Sequence, residues 1–443
     1  MRTTLLAAAL SGTMLMANAQ SALKAKIAPL AEALQPKLVE WRRDFHQNPE
    51  LGNREFRTAQ KVAAHLRSLG IEVQEKVAYT GVVGILRGGK PGPCVALRAD
   101  MDGLPVTERV DVPFKSMVRT EFNGQPTGVM HACGHDSHVA ILMGVAEVLA
   151  GMKNELKGTV KFVFQPAEEG APTGEEGGAA FMVKQGVLEN PKVDAIFGLH
   201  INSQTEVGNI TFRPGSTMAA VDWLSIKVKG KQTHGAAPWS GVDPIVTASQ
   251  IVMGLQTIVS RNLQITDGAA IVTIGAIHGG IRQNIIPEEV NMIGTIRTLA
   301  PDHQAIIHRR INEIATNIAE SAGATAEVKI DKLYPITFND LELTKKMLPT
   351  LQGVAGLEQV VQIPAQTGSE DFSFFQQKVP GFFFFLGGMP KGKNRADAAP
   401  HHTPDFYIDE SGFPLGVKAL AGLTVDYMDM NAPKEDTSTK KKK

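Results

Sequence analysis

Met130-His131-Ala132-Cys133-Gly134-His135-Asp136-Ser137-His138, the apolar run Val139 to Leu149, and Val160-Lys161-Phe162-Val163-Phe164 leading into Gln165-Pro166-Ala167-Glu168-Glu169-Gly170 decide the fold. The first is a polar loop, the second has the length of a helix, and the third is a short apolar strand that ends on carboxylates. The alternation continues on both sides. Val82 to Leu86 and Val95 to Ala99 read as strands upstream, and the helix Ala179 to Gln185 and the strand Ala195 to Ile201 follow. Strands that alternate with helices predict an α/β domain with a mainly parallel sheet and helices on both faces. Ligands bind such sheets at the carboxyl ends of the strands. Asp100 and Asp102 follow Val95 to Ala99, Glu168 and Glu169 follow Val160 to Phe164, and His200 closes Ala195 to Leu199. Residues distant in sequence should therefore converge on one rim.

Before this region, Ser21 to Gly70 has helical spacing, with Leu30, Leu34, Leu38 and Trp41 on one helix and Phe56 to Leu69 on the next. Near Thr217 the pattern changes. The strand Val221 to Val228, the helix Asp243 to Ser260, the strands Ala270 to Ile277 and Val290 to Arg297, and the helix His303 to Ala322 follow in order. That succession predicts an inserted ferredoxin-like α+β domain over 216–333. The chain then returns to the first domain, 20–215 continued by 334–431, with a helix near Leu341 to Val354 and a core strand at Phe382 to Leu386.

A chain of 443 residues exceeds one ordinary core, in keeping with two domains. Lys plus Arg and Asp plus Glu both number 45, which leaves no net field to recruit nucleic acid or an anionic membrane, so the expected partner is a small molecule. Residues 1–19 read as a signal peptide: Arg2, the apolar run Leu5 to Leu10, then Ala17-Asn18-Ala19 before Gln20. Export to the periplasm or the exterior is the expectation. Cys94 and Cys133 are the two cysteines, too few for a disulfide scaffold, and Cys94 sits in a strand as a core thiol. Residues 432–443 end in four lysines and read as a solvated tail.

Cys133 and His135 lie two apart in a glycine-containing loop before a helix, where both can reach one ion and the helix N-terminus favours a thiolate. Closed structural zinc sites carry local C-x-x-C pairs, which this chain lacks. Widely separated ligands that include a carboxylate suit an open catalytic site instead.

Met130 to Asp136, Phe164 to Gly170, Gly198-Leu199-His200 and Gly368-Ser369-Glu370-Asp371-Phe372 together resemble the M20 metallopeptidases. The similar branch holds bacterial hippurate hydrolases, N-acyl-amino-acid amidohydrolases and plant auxin-conjugate hydrolases, and the likeness runs from about Leu38 to Tyr427. It implies two divalent ions per subunit, manganese, zinc, cobalt or nickel. Cys133 would be the shared thiolate, with His135 and His200 completing one ion and Glu169 and His402 the other. His402 fits the pattern of His, one residue, Pro, although the adjacent His401 could exchange reach with it. Asp100 and Asp102 would then orient histidines, and His131 and His138 would flank the site without ligating.

The same likeness leaves Glu168 as the general base and proton carrier. It gives His234 the role of polarising the scissile carbonyl, in the active site of a partner subunit, and Asn284 and Arg297 that of holding the substrate carboxylate. A homodimer through the inserted domain, which would also serve as a lid, is implied. Two divalent ions against one thiolate and one carboxylate leave a net positive site, suited to an anionic substrate and to an oxyanion. The activity expected is hydrolysis of the amide of an N-acyl or N-aroyl amino acid. A metallo-carboxypeptidase or dipeptidase with the same centre is the alternative.

Overall fold

The computed structural model describes residues 23–433, so the expected signal peptide and nearly all of the expected tail lie outside the described residues. Contacts divide the chain into two compact units. One comprises Gly215–Phe338 with Pro364–Ser373, and the other the chain up to Pro214, Asn339–Ile363 and the residues from Phe374 onward.

The unit formed by the chain up to Pro214, Asn339–Ile363 and the residues from Phe374 onward carries an eight-stranded sheet. Its order is Glu72–Val77, Gly81–Arg87, Lys157–Gln165, Lys90–Asp100, Ala195–Glu206, Gly381–Met389, Ile210–Phe212, Val360–Gln362. The four central strands run parallel. Antiparallel pairs flank them: a tight hairpin joins Glu72–Val77 to Gly81–Arg87, and Ile210–Phe212 runs against Gly381–Met389. Ile210–Phe212 and the edge strand Val360–Gln362 beside it are too short to carry a sequence period.

The central strands of this sheet are buried on both faces, which is why they read as largely apolar runs. Phe382, Phe384 and Leu386 join the core built with helices His135–Gly151 and Phe413–Asn431, while Phe383 and Phe385, pointing oppositely, are equally buried. Lys161 also points away from that core. Its ammonium donates to the carbonyls of Val187, Glu189 and Pro191 at 2.9, 2.7 and 2.9 Å, using every proton it has.

Two differences from the sequence reading bear on the site. The helix begins at His135, not Val139, because Gly134 adopts φ +93° just before it, and a Cβ there would stand 2.3 Å from Ile201. The strand containing His200 does not end there but continues to Glu206. His200 is nevertheless free of a ladder on one side, since pairing with Lys90–Asp100 stops at Gly198.

The second unit has a four-stranded antiparallel sheet in the order Ala270–His278, Glu289–Thr298, Ala220–Lys229, Thr325–Tyr334, which is the ferredoxin-like arrangement. Helices Pro244–Thr257 and Pro301–Ser321 cover one face, burying Leu224, Ile226, Val228, Ile251, Ile307 and Ile311. The Asp243 carboxylate accepts the Ile245 and Val246 N–H groups, capping the first helix. Pro364–Ser373 belongs to this unit, whereas the sequence reading assigned it to the other domain. Long-range backbone bonds hold it: Gln366 donates to the Thr217 carbonyl at 2.9 Å and Ala219 to that of Gly368 at 2.8 Å.

Candidate metal centre

The loop Met130–Gly134 and the first turn of helix His135–Gly151 meet the ends of strands Lys90–Asp100 and Lys157–Gln165, the middle of Ala195–Glu206, and the turn at His401-His402. Cys133 is the centre of this convergence. Its Sγ lies 3.4 Å from His200 Nε2 and 3.3 Å from His402 Nε2. His402 Nε2 is also 3.0 Å from a Glu169 oxygen. Donor atoms sharing one tetrahedral ion at bonds of about 2.0–2.3 Å stand roughly 3.5 Å apart, so these separations suit a metal.

His135 adds an orphan. Its Nδ1 is 3.2 Å from Asp102, while its buried Nε2 has no hydrogen-bond partner, the nearest carboxylate oxygens of Asp100, Glu168 and Glu169 standing at 3.7, 3.9 and 3.9 Å. The structure thus gives His135 both glutamates as neighbours. A buried imidazole nitrogen aimed at carboxylates without touching them is what a ligand looks like without its ion.

Charge points the same way. Burial, then the carboxylates of Glu169, Glu168 and Asp100, push the Cys133 thiol well above its ordinary range, so a thiolate here calls for added positive charge. Burial, helped by the nearby rings of His138 and His401, keeps His200 neutral, with Nε2 available as a donor pair. His200 Nδ1 donates to the Ile201 carbonyl at 2.6 Å, which fixes that tautomer. His135 differs: burial opposes its charge, but Asp100 and Asp102 raise it to about 10.

His401 and His402 can be told apart. His401 Nε2 accepts the Ser203 N–H at 3.2 Å, and its Nδ1 faces the Cys133 carbonyl at 3.2 Å, with Sγ at 3.6 Å. Both of its nitrogens are thereby engaged by main chain. His402 takes φ +63° and anchors its N–H on the Ala132 carbonyl, which leaves its ring turned to Cys133 and Glu169.

The supporting groups form chains. Asp100 is held well below the carboxylate range, burial being outweighed by Arg98, His135 and His138. It pairs with buried Arg98 at 2.7 Å and with His138 Nδ1 at 2.5 Å, and His138 Nε2 accepts the Ile201 N–H at 2.8 Å. His138 is therefore committed at both nitrogens. Asp102, besides holding His135, accepts the Glu169 N–H at 3.0 Å.

Behind the loop, buried Arg42 pairs with Asp136 at 2.9 Å, and His46 bridges Asp136 and Glu108 at 2.7 and 3.2 Å. Nothing in the helical spacing of Ser21 to Gly70 announces this cluster. The signal was the set of charges on the apolar helix face itself, Arg42 and His46 being four residues apart. Arg42→Met leaves Asp136 buried without its cation, and should destabilise the protein by about 3–5 kcal/mol in urea unfolding. Asp136 itself lies far below 3.8, burial being overcome by Arg42 and His46. The stability it contributes is thus full above about pH 4 and is lost as the pH falls through its lowered folded pKa.

His234, Asn284 and Arg297 all belong to the second unit. His234 and Ile285 pair in a short exposed ribbon, and Gly235 donates to the Asn284 carbonyl at 2.8 Å, so His234 and Asn284 are neighbours. His234 Nδ1 accepts the Ala236 N–H at 2.9 Å, which leaves the proton on Nε2. Arg297 stands on Glu289–Thr298 and donates to Ser369 Oγ at 3.1 Å, within the Gly368 to Phe372 motif.

The profile of peptidase family M20/M25/M40 matches residues 96–426. The chain belongs to this family. It is accordingly a hydrolase of the M20 type. It is 41% identical to thermostable carboxypeptidase 2 of Saccharolobus solfataricus, over 88% of this chain and 95% of that protein. It is 38% identical to IAA-amino acid hydrolase ILR1-like 4 of Arabidopsis thaliana, over 91% of this chain and 89% of that one. The crystal structure of the Bacillus subtilis YXEP protein, a dinuclear metal-binding peptidase of the M20 family, superposes with a TM-score of 0.75 at 35% identity, covering 90% of this chain and 99% of that one.

Proposed function

We propose that this M20 hydrolase binds two divalent ions and cleaves the amide bond of N-acyl or N-aroyl amino acids, releasing a carboxylic acid and an amino acid. The observation that carries the reading is Cys133, whose sulfur lies within 3.4 Å of both His200 and His402 while His402 also meets Glu169. Cys133 is the shared thiolate, and His135, Glu169, His200 and His402 are the terminal ligands. When bound, the ions supply Lewis acidity at the carbonyl and lower the pKa of water.

The chain's own residues do the rest. Glu168, next to the ligand Glu169 and beside His135, takes the proton from the attacking water and returns it to the leaving amine. His234, with its proton on Nε2, donates to the carbonyl oxygen. Arg297 and Asn284 hold the substrate carboxylate. His234 acts in a partner subunit's site, in a homodimer formed through the inserted unit. Exposed Met253, Val246, Ile277 and Ile281 on that unit support such an association. Residues 1–19 direct export.

The 41% identity to a carboxypeptidase favours peptide substrates as the second reading. Comparing N-benzoylglycine, N-acetyl amino acids and unblocked dipeptides on metal-loaded protein separates the two. Higher kcat/KM for the blocked substrates is expected, and a preference for a free N-terminal amine would replace the amidohydrolase reading with the peptidase one.

A further inference from the structure

The turn that separates Glu168 and Glu169 from the strand Lys157–Gln165 is made by Ala167, a residue with a Cβ at φ +51°. Left-handed backbone at alanine costs about 1 kcal/mol and persists only where the surroundings hold it. They do so through one segment of the N-terminal region. Glu55 is fully buried; one carboxyl oxygen accepts the Ala167 N–H at 2.8 Å and the other bonds the Thr80 hydroxyl. Gly52 closes the turn from another side, where a Cβ would stand 2.8 Å from the Gly170 carbonyl oxygen and 3.1 Å from Ala167 Cα.

The same segment reaches the neighbouring strand end. The Glu50 carbonyl accepts the Gly103 N–H at 2.7 Å, and Asp102, one residue earlier, accepts that of Glu169. Glu50 also caps helix Phe56–Ser68, its carboxylate receiving the N–H groups of Arg57 and Thr58 at 2.9 Å, so the segment is anchored at its far end. Residues 50–55 thus touch both acidic strand ends and contribute no ligand.

We infer that Glu55 is a positioning residue: its carboxyl fixes the Ala167 peptide, and that peptide sets where Glu168 and Glu169 point. The inference rests on the roles proposed above for those two glutamates. Burial and the nearby Asp102 push Glu55 up to about 8, so near neutrality it is largely the neutral acid, for which glutamine is the close isostere. A glutamine keeps an acceptor for Ala167 and a polar partner for Thr80.

On N-benzoylglycine, Glu55→Ala should lower kcat by about 10–100-fold with KM little changed, and should weaken Mn²⁺ binding by a similar factor in calorimetric titration. Glu55→Gln should stay near wild type in both. Gly52→Ala, which presses on the same turn and leaves the Glu55 carboxyl in place, should reproduce the kcat loss and weaker Mn²⁺ binding without an emptied cavity. Wild-type kcat and Mn²⁺ affinity in either Glu55→Ala or Gly52→Ala would overturn the inference, as would an equal loss in Glu55→Gln and Glu55→Ala. Glu168→Gln in the same assays keeps the two ideas separate. Normal turnover there would remove the base assignment, while the Mn²⁺ titrations would still decide the role of Glu55.

Discussion

Glu168→Gln should lower kcat on N-acyl amino acids by about a hundred- to ten-thousand-fold, the range general acid–base catalysis commands, with metal content and melting temperature close to wild type. The expectation follows from the division of labour between adjacent carboxylates. Glu169 meets His402 at 3.0 Å and donates its N–H to Asp102, while both glutamates lie 3.9 Å from His135 Nε2, which keeps Glu168 beside the proposed ligands. Glutamine preserves size and hydrogen bonding but cannot take a proton. Metal analysis and steady-state kinetics on the same preparation provide the check. Retained kcat would sink the role of Glu168, and lost metal would mean that it ligates.

The second large effect is at Cys133. Cys133→Ala removes the atom on which His200 and His402 converge, and should yield folded protein that no longer retains metal through gel filtration and has no measurable turnover. Folding should survive because the substitution only trims a buried side chain in a loop braced from behind by Arg42 and Asp136. Cys133→Asp restores an anion of harder character and should recover part of the activity with a preference moved from zinc toward manganese. Full activity in Cys133→Ala would exclude the shared-thiolate centre.

Much of this arrangement was legible because parallel sheets force it to be. Phe382 to Phe385 are apolar at successive positions and Val160 to Phe164 at all but Lys161, a pattern that suits a strand buried on both faces, and the acids that follow the latter run emerge at a strand end. Spacing placed Cys133 and His135 in one loop, but the structure gives them different partners: Cys133 meets His200 and His402, while His135 Nε2 faces Asp100, Glu168 and Glu169.

Other features depended on contacts that spacing does not record. Ala167 has no sequence mark of a left-handed residue, since the cost is met by Glu55, more than a hundred positions earlier. His401 and His402 are equivalent by type, and their contacts separate them: His401 meets the Ser203 N–H and the Cys133 carbonyl, His402 the Glu169 carboxylate. Pro364–Ser373 carries no apolar period, and its place in the second unit rests on backbone bonds to Thr217 and Ala219. The commitment of His138 to Asp100 and Ile201 agrees with its reading as a non-ligand, but the reason is a strand ladder that stops early at Gly198.

The positions of the converging side chains along the chain also order events in the life of the molecule. Cys133, His135, Glu169 and His200 are synthesised before the unit that begins at Gly215, and His402 only after it. A ribosome that has released the second unit has still not delivered the last imidazole. The ligand set proposed above is therefore complete in the chain only once its C-terminal return has been made, and a chain cut short before His402 would lack one corner of it.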